Sequence, residues 1–163
     1  MRKFTELFAA QPGFKILDIT AHADGLTRTL VSALVPVGGR LSLVEYPGTH
    51  EAVAAEKGMT LQRQAVESYG KPFRALPRDN DVVFVRDVLH RHEQPERLLK
   101  SIYTTLGNAA EVVIVTRTDE ADTEKQLEWL ERVDFRAGNV IEGLAEGVTA
   151  VIGKKMHMWG NGL

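Results

Sequence analysis

Short runs of β-branched and apolar residues alternate along this chain with stretches whose apolar residues recur at helical spacing, and that alternation most restricts its fold. Asp81 to Arg86 (DVVFVR) and Glu111 to Thr116 (EVVIVT) carry the side chains that suit a pleated, buried surface. Strands separated by helical patterns signal βαβ units and a mainly parallel sheet. No repeat, low-complexity stretch or long linker interrupts the pattern, so residues 1–163 are expected to form a single domain.

The elements can be placed in order. Phe4, Leu7 and Phe8 predict a short opening helix, stopped by Pro12-Gly13. Phe14 to Ile19 reads as the first strand. Leu26, Leu30 and Leu34 mark the helix after it, which ends before Pro36 and Gly38-Gly39. Arg40 to Glu45 (RLSLVE) is the second strand. A helix is expected over Thr49 to Lys57 and a second helical piece over Leu61 to Tyr69, with Phe73 to Leu76 as a third strand. After the DVVFVR strand, Leu98, Leu99, Ile102, Tyr103 and Leu106 predict an amphipathic helix capped by Gly107. Leu127, Leu130 and Val133 mark another helix after EVVIVT. Asn139 to Leu144 and Val148 to Met156 are extended runs joined too closely for a parallel pair, so they predict a terminal antiparallel hairpin.

Composition excludes several chemistries. The chain has no cysteine, which removes disulfides, thiolate nucleophiles and sulfur-ligated zinc. Its formal net charge of −2 gives no global attraction to nucleic acid or anionic lipid. The first residues lack the apolar stretch of a secretory signal, and no run approaches a membrane span, so a cytoplasmic protein is expected. His90 and His92 do not have a recognised metal-ligand spacing, and no metal is expected.

The ordered segments resemble the class I S-adenosylmethionine-dependent methyltransferases. KILDITAHADGLTRTLV is similar to that family's first motif, an apolar strand, an acid and a glycine loop that opens a helix. RLSLVE looks like its second strand, and DVVFVRDVLHRHEQPERLLKSIYTTL like its fourth strand and following helix. NAAEVVIV stands where members carry a glycine pair before strand five. VDFRAG looks like the glycine-phenylalanine step before the last hairpin, with Asp134 in place of the glycine, and Lys154-Lys155 stands where the terminal strand commonly ends in a basic residue. The resemblance implies a three-layer Rossmann-like fold with a seven-stranded sheet, parallel except for one reversed strand near its end.

The resemblance also implies a cofactor, S-adenosylmethionine, and a site at the carboxyl ends of the strands. Asp18 matches the acid of strand one, and Glu45 the acid that holds the ribose hydroxyls. The loop glycines, however, are replaced by Thr20, His22 and Asp24, with Gly25 one position late. Glycine lets a backbone approach a ligand closely and adopt positive φ. Asp24 also sets a carboxylate where the cofactor's own carboxylate is expected, so reduced affinity follows. Helix N-capping is the alternative role for Asp24. Asp87, His90 and His92 follow strand four and are the candidates near a methyl acceptor, with a histidine as general base.

Three functional expectations result. The first is a methyltransferase-like domain that binds S-adenosylmethionine weakly and methylates an unidentified small-molecule or protein acceptor. The second is a pseudo-enzyme that keeps the fold as a binding or assembly module. The third is a relative of the aminopropyl transferases, suggested by Asp24-Gly25. The minimal length implies either a small, open site or one completed by a second copy or a protein partner.

Overall fold

The computed structural model describes residues 7–74, 78–142 and 144–156. Strand β1 (Lys15–Thr20) is followed by helix α1 (Gly25–Leu34), then β2 (Arg40–Glu45), β3 (Thr60–Ala65) and β4 (Asn80–Arg86). Helix α2 (Pro95–Thr105) leads into β5 (Leu106–Arg117), helix α3 (Thr123–Arg132) follows, and β6 (Arg136–Ile141) with β7 (Val148–Lys154) closes the chain. The strands form one seven-stranded sheet in the order β3-β2-β1-β4-β5-β7-β6. β7 runs antiparallel to both β5 and β6, while the β3-β2-β1-β4-β5 pairs are all parallel. This is the mostly parallel, Rossmann-like methyltransferase fold with its terminal hairpin.

Helices cover the two sheet faces separately. Ile16, Leu41, Leu43, Val82, Phe84 and Val113 pack beneath Leu30, Val31 and Leu34 of α1. Leu17, Ile19, Val83, Val85 and Ile114 pack on the opposite face with Leu98, Leu99 and Ile102 of α2 and Leu130 of α3. Adjacent residues of β1 and β4 therefore feed different cores, which is why those strands are apolar at successive positions. Asp18 and Thr20 continue the α1-side row of Ile16, and Arg86 continues that of Val82 and Phe84.

Several expectations need correction. Residues 49–57 form no helix; the chain there is irregular and is stitched to the loop after β1. Residues 60–65 form strand β3 instead of a helix, because backbone pairing with β2 overrides the i, i+4 spacing of Leu61 and Ala65. Phe73 and Arg74 lie outside any strand, so the third strand falls earlier than expected. Among the described residues, α-helices thus follow β1, β4 and β5 only. Gly107 does not cap α2: Leu106 is the C-cap, in extended backbone, and leads straight into a β5 longer than predicted. Leu7 and Phe8 pack against the α1-side core, with Phe8 stacked on Phe14 at 5.1 Å. Phe4 of the expected opening helix, Leu76 and the terminal Trp159 lie outside the described residues. No described helix is long and apolar enough to cross a membrane.

Candidate functional site

The carboxyl ends of β1, β2 and β4 lie side by side, with Thr20 in register with both Glu45 and Arg86. They gather Asp18, Thr20, Glu45 and Asp87 at one edge of the sheet, as expected. The centre of that edge belongs to a residue the sequence reading passed over. Arg86 is 2% exposed and donates from Nε and Nη2 to the two oxygens of Asp18, at 3.0 and 2.8 Å. Asp18 is fully buried, so the pair is bidentate and dry. Thr27 of α1 completes it, accepting from Arg86 Nη2 at 2.7 Å and donating to Asp18 at 2.9 Å. Arg86 Nη1 reaches outward to Asp24 Oδ1 at 2.9 Å.

Asp24 caps α1. Its Oδ1 accepts the Leu26 N–H at 3.0 Å, and Thr27 reciprocates toward the Asp24 backbone, forming a capping box. The capping role weighed for this residue is what the structure shows. Burial would raise its pKa, but His22 and Arg86 outweigh that and hold the carboxyl well below the usual range.

His22 lies between two carboxylates, with Nδ1 3.2 Å from Asp24 Oδ2 and Nε2 2.5 Å from Asp87 Oδ2. The hydrogen bond to Asp24, then that to Asp87, pushes its pKa up to about 9 against desolvation and Arg86. Both ring nitrogens therefore donate at neutral pH. Asp87 has φ +56 and also accepts the Arg117 N–H. Burial pushes its pKa up, but His22 and that N–H prevail and lower it.

A raised histidine pKa stabilises the fold fully below the unfolded value of about 6.5, and the contribution is lost as pH rises through about 9. The imidazole is 38% exposed, so solvent screening reduces the expected loss to about 1 kcal/mol. Urea unfolding from pH 6 to 10 should show that decline in the wild type. His22→Ala should flatten it.

Three more N–H groups of the loop are also occupied. Ala21 N–H donates to Arg86 O, His22 N–H to Thr20 Oγ1, and Ala23 N–H to His50 Nδ1 at 2.9 Å. No residue from Thr20 to Gly25 has positive φ, so this loop's backbone does not call for glycine. At Gly25 an added Cβ would meet only Arg28 Nη2, at 3.8 Å, and glycine is not sterically required there.

The segment after β2 seals the loop from the other side. Tyr46 N–H donates to Thr20 O, and Glu51 N–H to Ala23 O. His50 donates from Nε2 to Tyr46 O at 2.7 Å while accepting from Ala23. Gly48 is so close that a Cβ on it would lie 1.9 Å from the Ala21 carbonyl oxygen. Glu45 accepts from Arg63 Nη2 at 2.8 Å and its side chain is 15% exposed.

The acceptor-side candidates separate. His92 is buried, with Nε2 donating to Lys71 O and Nδ1 accepting the Gln94 N–H, so it braces the 71–94 connection. His90 Nε2 pairs with Glu120 at 2.8 Å, and its side chain is 17% exposed. No metal-binding group of histidine and acidic residues occurs among the described residues. Arg86 was visible in the sequence as a lone cation ending an apolar strand. His50 and Gly48 gave no such signal.

The sequence matches no family model and no curated protein. Solved structures do match the fold. A SAM dependent methyltransferase from Aquifex aeolicus has a TM-score of 0.67 at 17% identity, covering 92% of this chain and 86% of that one. PigF with SAH has a TM-score of 0.65 at 14% identity, covering 94% of this chain and 54% of that one. Human N-acetylserotonin methyltransferase in complex with SAM has a TM-score of 0.62 at 18% identity, covering 88% and 48%. The chain thus spans about half the length of PigF and of the human enzyme. Fold and strand order define a class I, Rossmann-like methyltransferase fold. At these identities the likeness is one of fold.

Proposed function

We propose that this chain is a methyltransferase-like domain of the S-adenosylmethionine-dependent class that binds its cofactor weakly. The fold supports the cofactor class, as do the solved relatives described with SAM or SAH. Glu45 at the end of β2 suits ribose hydroxyls, because a carboxylate has acceptor capacity beyond the one oxygen Arg63 holds. The loop that would receive the methionine end fits poorly. The single observation behind weak binding is that the N–H groups of Ala21, His22, Ala23 and Leu26 already donate within the chain. A ligand carboxylate must displace those bonds. Methyl transfer to an acceptor is the activity this class supplies, and His90 is the more available of the two histidines to serve it.

Calorimetric titration of concentrated protein with S-adenosylmethionine and S-adenosylhomocysteine tests the reading. The expected Kd is above about 100 μM, or about −5.5 kcal/mol. Low-micromolar binding would show that the occupied loop is no obstacle.

A second reading has its own observation. The Tyr46–Glu51 segment is bonded to the β1–α1 loop at both Thr20 and Ala23, as in a structural turn. A domain kept for binding or assembly with a protein partner or second copy would show no heat with either ligand at millimolar concentration. The aminopropyl transferase reading has no observation beyond Asp24-Gly25, and Asp24 is also the α1 cap and a partner of Arg86.

A further inference from the structure

We infer that Asp24 is a built-in occupant of the carboxylate subsite, so that this edge takes a nucleoside lacking an amino-acid tail as readily as one that carries it. The inference rests on the cofactor reading above and specifies its ligand preference.

Asp24 Oδ1 accepts together from the first-turn Leu26 N–H of α1 and from the Arg86 guanidinium. Those are the donors that suit a carboxylate: a helix N-terminal amide and a fork of charged N–H groups. Here the carboxylate comes from the chain itself. The local charge adds a second barrier, felt by the tail carboxylate and not by the ammonium or sulfonium: Asp18, Asp24 and Asp87 outnumber their ion-pair partners Arg86 and the protonated His22. Space adds a third, because Gly48 closes against the Ala21 carbonyl. None of these obstacles concerns the ribose end, where Glu45 stands on the neighbouring strand.

The test compares S-adenosylmethionine with adenosine, which lacks the amino-acid tail, by calorimetric titration of wild type, Asp24→Gly and Asp24→Ser. Glycine and serine both serve as N-caps, and Arg86 keeps its Asp18 partner in each variant, so the pair of substitutions guards against misfolding. Wild type should bind the two ligands within about threefold of each other, whereas either variant should gain about tenfold or more for S-adenosylmethionine and nothing for adenosine. An equal gain for both ligands, no gain for S-adenosylmethionine, or a wild type already favouring it about tenfold would overturn the inference. If adenosine binds every protein while S-adenosylmethionine gains nothing, only this inference falls. If neither ligand binds any of the proteins, the cofactor reading falls with it.

Discussion

Replacing Arg86 by methionine will cost about 3–5 kcal/mol of folding stability, the usual result when one partner of a buried ion pair is removed. Asp18 would remain fully buried with a charge that Thr27 alone cannot satisfy. Asp24 would also lose the guanidinium that ties the α1 cap to β4. Urea unfolding of wild type, Arg86→Met, Asp18→Leu and the double variant would measure the coupling as a thermodynamic cycle. The double variant should recover most of the loss, because it leaves no buried charge. If the single Arg86 variant stays within about 1 kcal/mol of wild type, the pair is not what secures this edge.

Gly48→Ala is the next largest effect, expected at about 1–3 kcal/mol from overpacking. The added Cβ would meet backbone, 1.9 Å from the Ala21 oxygen and 2.9 Å from its carbonyl carbon, and neither can rotate away. Relief requires the Tyr46–Glu51 segment to lift from the β1–α1 loop. The loss should therefore coincide with faster hydrogen exchange at Ala23 and Glu51, whose amides bridge the two segments. A destabilised variant with unchanged protection at those amides would place the strain elsewhere.

The parts of the fold written in long-range apolar rows were legible in the sequence. β2 and β4 stand where their patterns indicated, since each strand must feed two cores, and the antiparallel hairpin forms with its first strand at Arg136–Ile141 instead of Asn139 to Leu144. The lost glycines were also informative beyond the first loop. Ala109 has φ +66 and Asp134 φ +71, so each holds left-handed backbone at a position that the resemblance matches to a glycine. The β2–β4 region was misread because its structure is set by partners far along the chain. Leu61 and Ala65 fit a helix or a strand equally well, and only pairing with β2 decides. The site was legible as a set of carboxylates, Asp18, Asp24, Glu45 and Asp87. What neutralises them was not, since Arg86 is 68 residues from Asp18 and Arg63 is 18 from Glu45.

β3 gives the site an unequal rim. It lies at the end of the sheet, pairs among the described residues only with β2 and carries mostly half-exposed or exposed side chains. Such a strand opens at less free energy than the β1–β4 centre, where Leu17, Ile19, Val83 and Val85 are fully buried. Each opening carries Arg63 away from Glu45 while leaving Asp18 and Arg86 clasped. The edge therefore has a rigid half and a breathing half, and Glu45 stands on the side of the molecule that yields first.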